Sequence, residues 1–181
     1  TVRSRDGFSL ELSGNPVKFL QGHNLFGSDD ALALFFETGM NIRKSVGEFP
    51  SPATWGALNL EGPRFTRIDI TRSYRFPTQS QAREWLRYVA GAARSRHGSA
   101  SLVKDSTVYF GKGSRRWTMK VYNKHDEILA RGKTHRLLSF LDRDRKKLED
   151  WAQGVLRFEI QLRGMELAKW PTLSPESLPS I

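Results

Sequence analysis

Cysteine is absent from the 181 residues, which excludes a disulfide framework, a thiolate zinc site and a cysteine nucleophile. Histidine is scarce: the four copies show no ligand spacing and no His-hydrophobic-His pair, so a zinc site has no support. No apolar run approaches the roughly 18 residues of a membrane span, and no signal peptide precedes Thr1. The expectation is a soluble protein of the cytoplasm without a membrane partner. Acid is short as well, with 19 Asp and Glu against 29 Lys and Arg. The formal charge of +10 and pI near 10.2 point to a polyanionic partner, although a generally basic surface gives the same numbers. The chain opens on Thr rather than Met and moves at once into strand-like sequence, which suggests a fragment lacking upstream strands.

What is present suits a packed core. Hydrophobic residues make up 38% and aromatics 11%, and a chain of this length buries roughly two-thirds of its unfolded surface. Residues 1–170 read as one domain and 171–181 as an irregular Pro/Ser-rich tail. Val2 to Leu12 reads as a hairpin closing at Ser13-Gly14-Asn15-Pro16, and Val17 to Leu20 as a further short strand. Ser28 reads as the N-cap of a helix carrying Leu32, Phe35 and Phe36. Residues 47–63 are punctuated by Pro and Gly but hold Trp55 and Leu58, as a packed loop or edge strand would. Thr78 and Gln81 have capping-box spacing ahead of a helix to about His97, with Ala82, Trp85, Leu86, Val89 and Ala93 as its inward stripe. Thr134 is expected to cap another helix, which Gly154 ends.

Period-two alternation marks three strands. In 116–124, Trp117, Met119 and Val121 oppose Thr118, Lys120 and Tyr122. In 64–71, Ile68 and Ile70 oppose Arg67, Asp69 and Thr71. In 155–163, Leu156, Phe158, Ile160 and Leu162 oppose Arg157, Glu159, Gln161 and Arg163. Residues 107–110 form a fourth strand, joined to 116–122 by the glycine-rich hairpin tip 111–115. The order of elements gives α+β: a largely antiparallel central sheet with helices on one face and a polar, catalytic face on the other.

That polar face carries the chemistry for attack on a phosphodiester, which needs positive charge on the non-bridging oxygens and an in-line nucleophile. Asp69 and Glu159 are hard-oxygen ligands suited to one Mg²⁺ or Mn²⁺. Tyr122 supplies an oxygen nucleophile, and Lys120 and Lys124 are placed to favour its ionisation. Tyr109, on the same hairpin, is its strongest rival. Each assignment has a plainer alternative: Tyr122 as an amphipathic packing residue, and the two carboxylates as partners in cross-strand ion pairs with the surrounding arginines.

Nucleic-acid contacts are expected from Arg83, Arg87 and Arg94 on one helix, and from Lys112, Arg115 and Arg116 on the hairpin. Arg67 and Arg157 flank the carboxylates and extend the same cationic set. His23, following Gly22 in a turn, suits a cap, a phosphate contact or a base. Arg143, Lys146 and Lys147 are interleaved with acids and read more simply as a solvated helix face. The Gly111-Lys112-Gly113 run lacks the spacing of a phosphate loop and reads as a basic hairpin tip.

Five ordered blocks then resemble the replication initiators of filamentous phages, of the gene II/X type. They are residues 14–27 (Gly-Asn-Pro-Val-Lys-Phe-Leu-Gln-Gly-His-Asn-Leu-Phe-Gly), 67–71 (Arg-Ile-Asp-Ile-Thr), 107–111 (Thr-Val-Tyr-Phe-Gly), 121–124 (Val-Tyr-Asn-Lys) and 157–163 (Arg-Phe-Glu-Ile-Gln-Leu-Arg). The last four are also similar to the initiators of Gram-positive rolling-circle plasmids. The resemblance implies metal-dependent, site-specific nicking and rejoining of origin DNA, single-stranded or supercoiled, through a phosphotyrosine intermediate. It implies Tyr122 as the active tyrosine, Asp69 and Glu159 as carboxylates holding Mg²⁺ or Mn²⁺, and Glu127 as a third ligand. A bacterial host cytoplasm is then the expected location, with a host helicase and polymerase as further partners. A non-catalytic DNA-binding or regulatory module of an initiator is the alternative.

Overall fold

The computed structural model describes residues 2–4, 10–46, 64–95, 98–99, 101–103, 106–130, 137 and 140–169. The expected packed stretch at 47–63, the cap at Thr134 and the tail 171–181 lie outside the described residues. The chain forms two compact units, one containing the described residues up to Val46 and the other those from Arg64 to Lys169.

In the first unit, strands β1 (Val2–Ser4) and β2 (Leu10–Leu12) pair antiparallel, with Val2 opposite Leu12. This is the expected hairpin. The next segment corrects the sequence reading: Val17 to Leu20 belongs to a helix, α1 (Pro16–Gln21), and not to a strand. Its signals are local. The Asn15 side chain accepts from the Lys18 N–H at 2.8 Å, Pro16 occupies the first turn where its missing N–H costs nothing, and Gly22 closes the helix at φ 82°. Helix α2 (Ala31–Val46) is capped by Asp30 rather than Ser28. Asp30 Oδ1 accepts from the Ala33 N–H at 2.8 Å, while Ser28 Oγ is spent on the Asp30 N–H at 3.1 Å.

The second unit is built on strands β3 (Arg67–Arg75), β6 (Ser101–Val103), β7 (Thr107–Phe110), β8 (Trp117–Asn123) and β9 (Val155–Arg163). They form one antiparallel sheet in the order β3-β9-β8-β7-β6. Between β3 and β6 come helix α3 (Gln79–Ala92) and a small ladder of β4 (Arg94–Ser95) with β5 (Gly98–Ser99). Helix α4 (Lys124–Leu129) follows β8 directly, α5 (Asp142–Ala152) precedes β9, and α6 (Gly164–Leu167) follows it. Helix α3 stops short of the expected His97, because Ala93 turns extended, at ψ 138°.

The apolar rows of the sheet lie on one face, as alternation put them, but are covered only in part: Ile160, opposite Met119, is 38% exposed. Val108, Phe110, Val121 and Leu156 close against Ala82 and Leu86 of α3, with Trp85 and Phe158 beside them. Leu86 is fully buried, so Leu86→Ala should cost about 2–5 kcal/mol. Thr78 caps α3 through the Gln81 N–H at 3.2 Å, as its spacing predicts. Gly154, at φ 68°, lets the chain enter β9 beside Phe76; a Cβ there would lie 2.6 Å from the Phe76 carbonyl oxygen. Arg75, at the far end of β3, donates to the carbonyls of Trp151 (2.6 Å) and Gln153 (2.9 Å), closing the C-terminus of α5.

Candidate active site

Residues directly opposed across an antiparallel ladder share a face, so register alone assembles the polar surface. One row holds Asp69, Gln161 and Thr118. The next holds Thr71, Glu159, Lys120, Tyr109 and Ser101, and a third Ser73, Arg157, Tyr122 and Thr107. Tyr122, Lys120, Glu159 and Asp69 therefore occupy one face, opposite the face that α3 covers. Asp69 and Glu159 are diagonal neighbours, a relationship that sets Cα atoms roughly 7–8 Å apart.

At the centre, the Tyr122 hydroxyl donates to Glu159 Oε2 at 3.3 Å, and Lys120 Nζ lies 2.6 Å from Glu159 Oε1. The ammonium groups of Lys120 and Lys124 stand 5.1 and 5.8 Å from the centre of the Tyr122 ring. Tyr122 is only 6% exposed and Lys124 1%. Burial, together with the Glu159 carboxylate, pushes the Tyr122 phenol well above its ordinary value near 10; Arg157 opposes that rise and Glu127 adds to it. The phenol is thus protonated at neutral pH, and its nearest proton acceptor is Glu159.

Helix α4 explains why Lys124 turns inward. Asn123 caps it, Oδ1 accepting from the Asp126 N–H at 3.1 Å, and Lys124 Nζ pairs with Glu127 Oε2 at 3.0 Å. Gln79, which sequence reasoning passed over, locks this corner. Its Nε2 donates to Asn123 Oδ1 (2.9 Å) and Asp126 Oδ1 (3.1 Å), and its Oε1 accepts from the Gly154 N–H (2.7 Å). The only sequence signal was its position at the first turn of a capped helix.

The carboxylates are already engaged. Asp69 receives a two-point contact from Arg67, at 2.8 and 2.5 Å, which raises the Arg67 pKa. Glu159 is held by Lys120 and Tyr122. Among the described residues no three acidic or histidine side chains converge as a ligand cluster, and Glu127 is turned to Lys124 instead. Two hard carboxylates with no thiolate between them suit a divalent cation completed by phosphate and water.

The remaining expected cations differ in availability. Arg83 is bound two-point to Asp126, at 3.0 and 2.6 Å. Arg157 is 4% exposed and donates to Ser73 Oγ at 3.1 Å. Arg116 lies 3.6 Å from Glu166. Arg87, Lys112 and Arg115 are exposed. His23 belongs to the first unit, where its Nδ1 accepts from the Leu25 N–H at 3.4 Å and its ring meets Phe26 edge-on.

Beside the Glu159–Lys120 pair, away from Tyr122, lies a cleft of about 260 Å³ between Tyr109 and Lys112 on the hairpin and Gln161 and Arg163 on β9. Sequence reasoning singled out Tyr109 and Lys112 separately but had no signal for this cleft.

A five-stranded antiparallel sheet, with α3 packed on one face and with Tyr122, Lys120, Asp69 and Glu159 on the other, defines an α+β domain. The chain belongs to the Phage_CRI family, the N-terminal part of a phage replication-associated protein, which it matches over residues 2–175. It is 36% identical over 164 residues to the replication-associated protein of Enterobacteria phage I2-2, covering 87% of this chain and 45% of that protein. The namesake of Enterobacteria phage M13 is 29% identical over 167 residues, covering 85% and 39%; that of Salmonella phage IKe is 26% identical over 167 residues, covering 84% and 38%. The chain thus spans less than half the length of these relatives. No solved structure is significantly similar to it.

Proposed function

We propose that this chain is the strand-nicking and rejoining part of a phage replication initiator, acting on origin DNA through Tyr122. The observation that carries this is the Tyr122 hydroxyl bonded to Glu159 Oε2 at 3.3 Å, with Lys120 on the other carboxylate oxygen at 2.6 Å. Tyr122 Oη attacks phosphorus, forming a phosphotyrosine ester, while the P–O3′ bond breaks. The phenolic proton passes to Glu159, and a proton from Lys120 or water completes the leaving 3′-hydroxyl. The ester keeps the energy of the broken bond, so attack by a 3′-hydroxyl reverses the step and rejoins a strand. Asp69 and Glu159 would hold Mg²⁺ or Mn²⁺, which supplies positive charge to the non-bridging oxygens. Lys120 and the partly buried cations around it hold the developing charge in place.

The test is incubation with labelled single-stranded origin DNA and Mn²⁺, followed by denaturing electrophoresis. The expected covalent adduct disappears in Tyr122→Phe and persists in Tyr109→Phe; the reverse pattern overturns the assignment.

The near-complete burial of Tyr122, and the engagement of both carboxylates by Arg67 and Lys120, favour a second reading: a DNA-binding module of an initiator that does not cut. It predicts salt-sensitive binding indifferent to Asp69→Asn with Glu159→Gln, and no adduct at any metal concentration. Host helicase and polymerase contacts belong to either reading.

A further inference from the structure

The cleft beside Glu159 is furnished for something other than a metal or a bare phosphate. Tyr109 stands in the same row of the sheet as Lys120 and Glu159 and forms one wall. Lys112, which also lines the cleft, places its Nζ over the face of that ring, 5.8 Å from the centre. The floor is polar. Thr118 and Gln161 oppose each other there, and the Gln161 Oε1 is occupied by Arg163 Nε at 3.0 Å. Its amide NH₂ therefore remains as a donor, with no partner among the described residues. Arg163 is fixed at the rim, donating also to the Ser114 carbonyl. Positive φ at Gly111 (64°) and Gly113 (89°) folds the hairpin tip that brings Lys112 over this space.

An aromatic face, a small set of polar groups on a floor and a cation at the rim match one nucleotide of a single strand: base on ring, base edge on donors, phosphate on ammonium. The cleft opens onto the Glu159–Lys120 pair, one row of the sheet from the Tyr122 hydroxyl. We propose that it holds the nucleotide next to the scissile phosphate, with its base stacked on Tyr109 and its far phosphate on Lys112. Lys112 covers the ring in the free protein and moves to the phosphate as the base takes its place. Tyr109 is then a positioning residue, acting through its ring and not through its hydroxyl. This rests on the nicking reading only for which nucleotide is held; the stacking itself needs no chemistry.

The experiment reads binding alone. A short fluorescein-labelled oligothymidylate and the same sugar-phosphate chain carrying abasic residues are titrated by fluorescence anisotropy, in EDTA at fixed ionic strength. The wild type is expected to bind the thymidylate about tenfold more tightly than the abasic chain, within the range of one stacked base. Tyr109→Phe keeps that preference to within about twofold, and Tyr109→Ala abolishes it by weakening thymidylate binding alone. Should Tyr109→Ala not fold, Tyr109→Leu keeps the bulk without the π-face and is expected to lose the same preference. The proposal is overturned if the wild type does not distinguish the two chains. It also falls if the alanine or leucine variant keeps the preference, or if the phenylalanine variant loses it. No cleavage is scored, so absence of a Tyr122 adduct leaves this result standing, and loss of stacking leaves the adduct assay untouched.

Discussion

Arg157 stands directly across the ladder from Tyr122, as deeply buried as the tyrosine itself, and its charge favours the phenolate that Glu159 and burial disfavour. The balance still lies with the neutral phenol. The nucleophile of the proposed reaction is thus held in its resting form.

That balance has a pH signature. The folded-state pKa of Tyr122 is raised above its unfolded value near 10. Its contribution to stability is therefore complete below pH 10 and is lost as the pH climbs from there towards the folded value. The absorbance of tyrosinate is expected to include a step that appears only as the protein unfolds in alkali and that is missing in Tyr122→Phe. Tyr122→Phe should flatten the alkaline fall in thermal stability while changing neutral stability by no more than about 1 kcal/mol, since it removes one long hydrogen bond. An unchanged alkaline slope in that variant would contradict the placement.

Tyr122 should also resist modification. Tyr74 and Tyr88 are 53% and 71% exposed, against 6% for Tyr122. Limited nitration followed by peptide mapping is expected to label Tyr74 and Tyr88 first and to leave Tyr122 until the fold opens. Early labelling of Tyr122 would mean that its ring is accessible.

Two backbone-anchoring residues set the stability of the corner that carries α4. Gln79→Ala strips partners from the Gly154 N–H and from Asn123, a loss of about 1–3 kcal/mol. Gly154→Ala forces a side chain into a left-handed conformation against the Phe76 carbonyl and should cost about 2 kcal/mol or more. Urea unfolding of both variants checks the figures, and the neighbouring exposed Ser80→Ala serves as control.

How much of this was legible in the sequence divides along physical lines. The alternation in β3, β8 and β9 read correctly as strand because the residue types keep period two along each segment. Burial does not follow it: Val121, Tyr122 and Asn123 are all buried, as are Val155, Leu156 and Arg157. Register then delivered Asp69, Glu159, Lys120 and Tyr122 to a single surface. Helix α4 was missed because six residues, Lys-His-Asp-Glu-Ile-Leu, are too few to show a period, and its cap, Asn123, reads equally well as the end of a strand. Helix α1 was mistaken for a strand because apolar residues 17, 19 and 20 outweighed Asn15-Pro16, although that pair is the stronger local signal. The burial of Lys124 and Arg157 was invisible: cationic residues are read as exposed, and only tertiary placement around Tyr122 turns them inward. For the same reason Arg83 looked like a phosphate contact until Asp126, 43 residues away, appeared beside it.

That difference between arginines is measurable. Arg87 is exposed on α3, whereas Arg83 is committed to Asp126. Arg87→Ala should weaken single-strand binding and lower the slope of log affinity against log salt by about 0.7, the value for one phosphate contact. Arg83→Ala should leave the slope nearly unchanged and lower stability by about 1 kcal/mol, a figure kept small because its guanidinium is partly exposed. Equal slopes for the two variants would show that the Arg83–Asp126 pair opens on binding.

Metal binding makes the sharpest demand on this surface, because Arg67 and Lys120 already sit on the carboxylates a cation would use. Mn²⁺ must displace both cationic partners, so binding to the free protein should be weak and should tighten when one competitor is removed. Thermal melts across a Mn²⁺ series are expected to show an upward shift in the wild type, reversed by EDTA, following the mass-action stabilisation of a ligand bound only to the folded state. Asp69→Asn and Glu159→Gln should each abolish the shift. Arg67→Ala, which frees Asp69 without touching a ligand, should move the shift to several-fold lower Mn²⁺. If Arg67→Ala instead leaves the midpoint where it was, Asp69 is not a ligand and its pairing with Arg67 is purely structural. If no variant alters the shift, the cation binds elsewhere on the chain, and positive charge at the scissile phosphate must come from Lys120 and its neighbours alone.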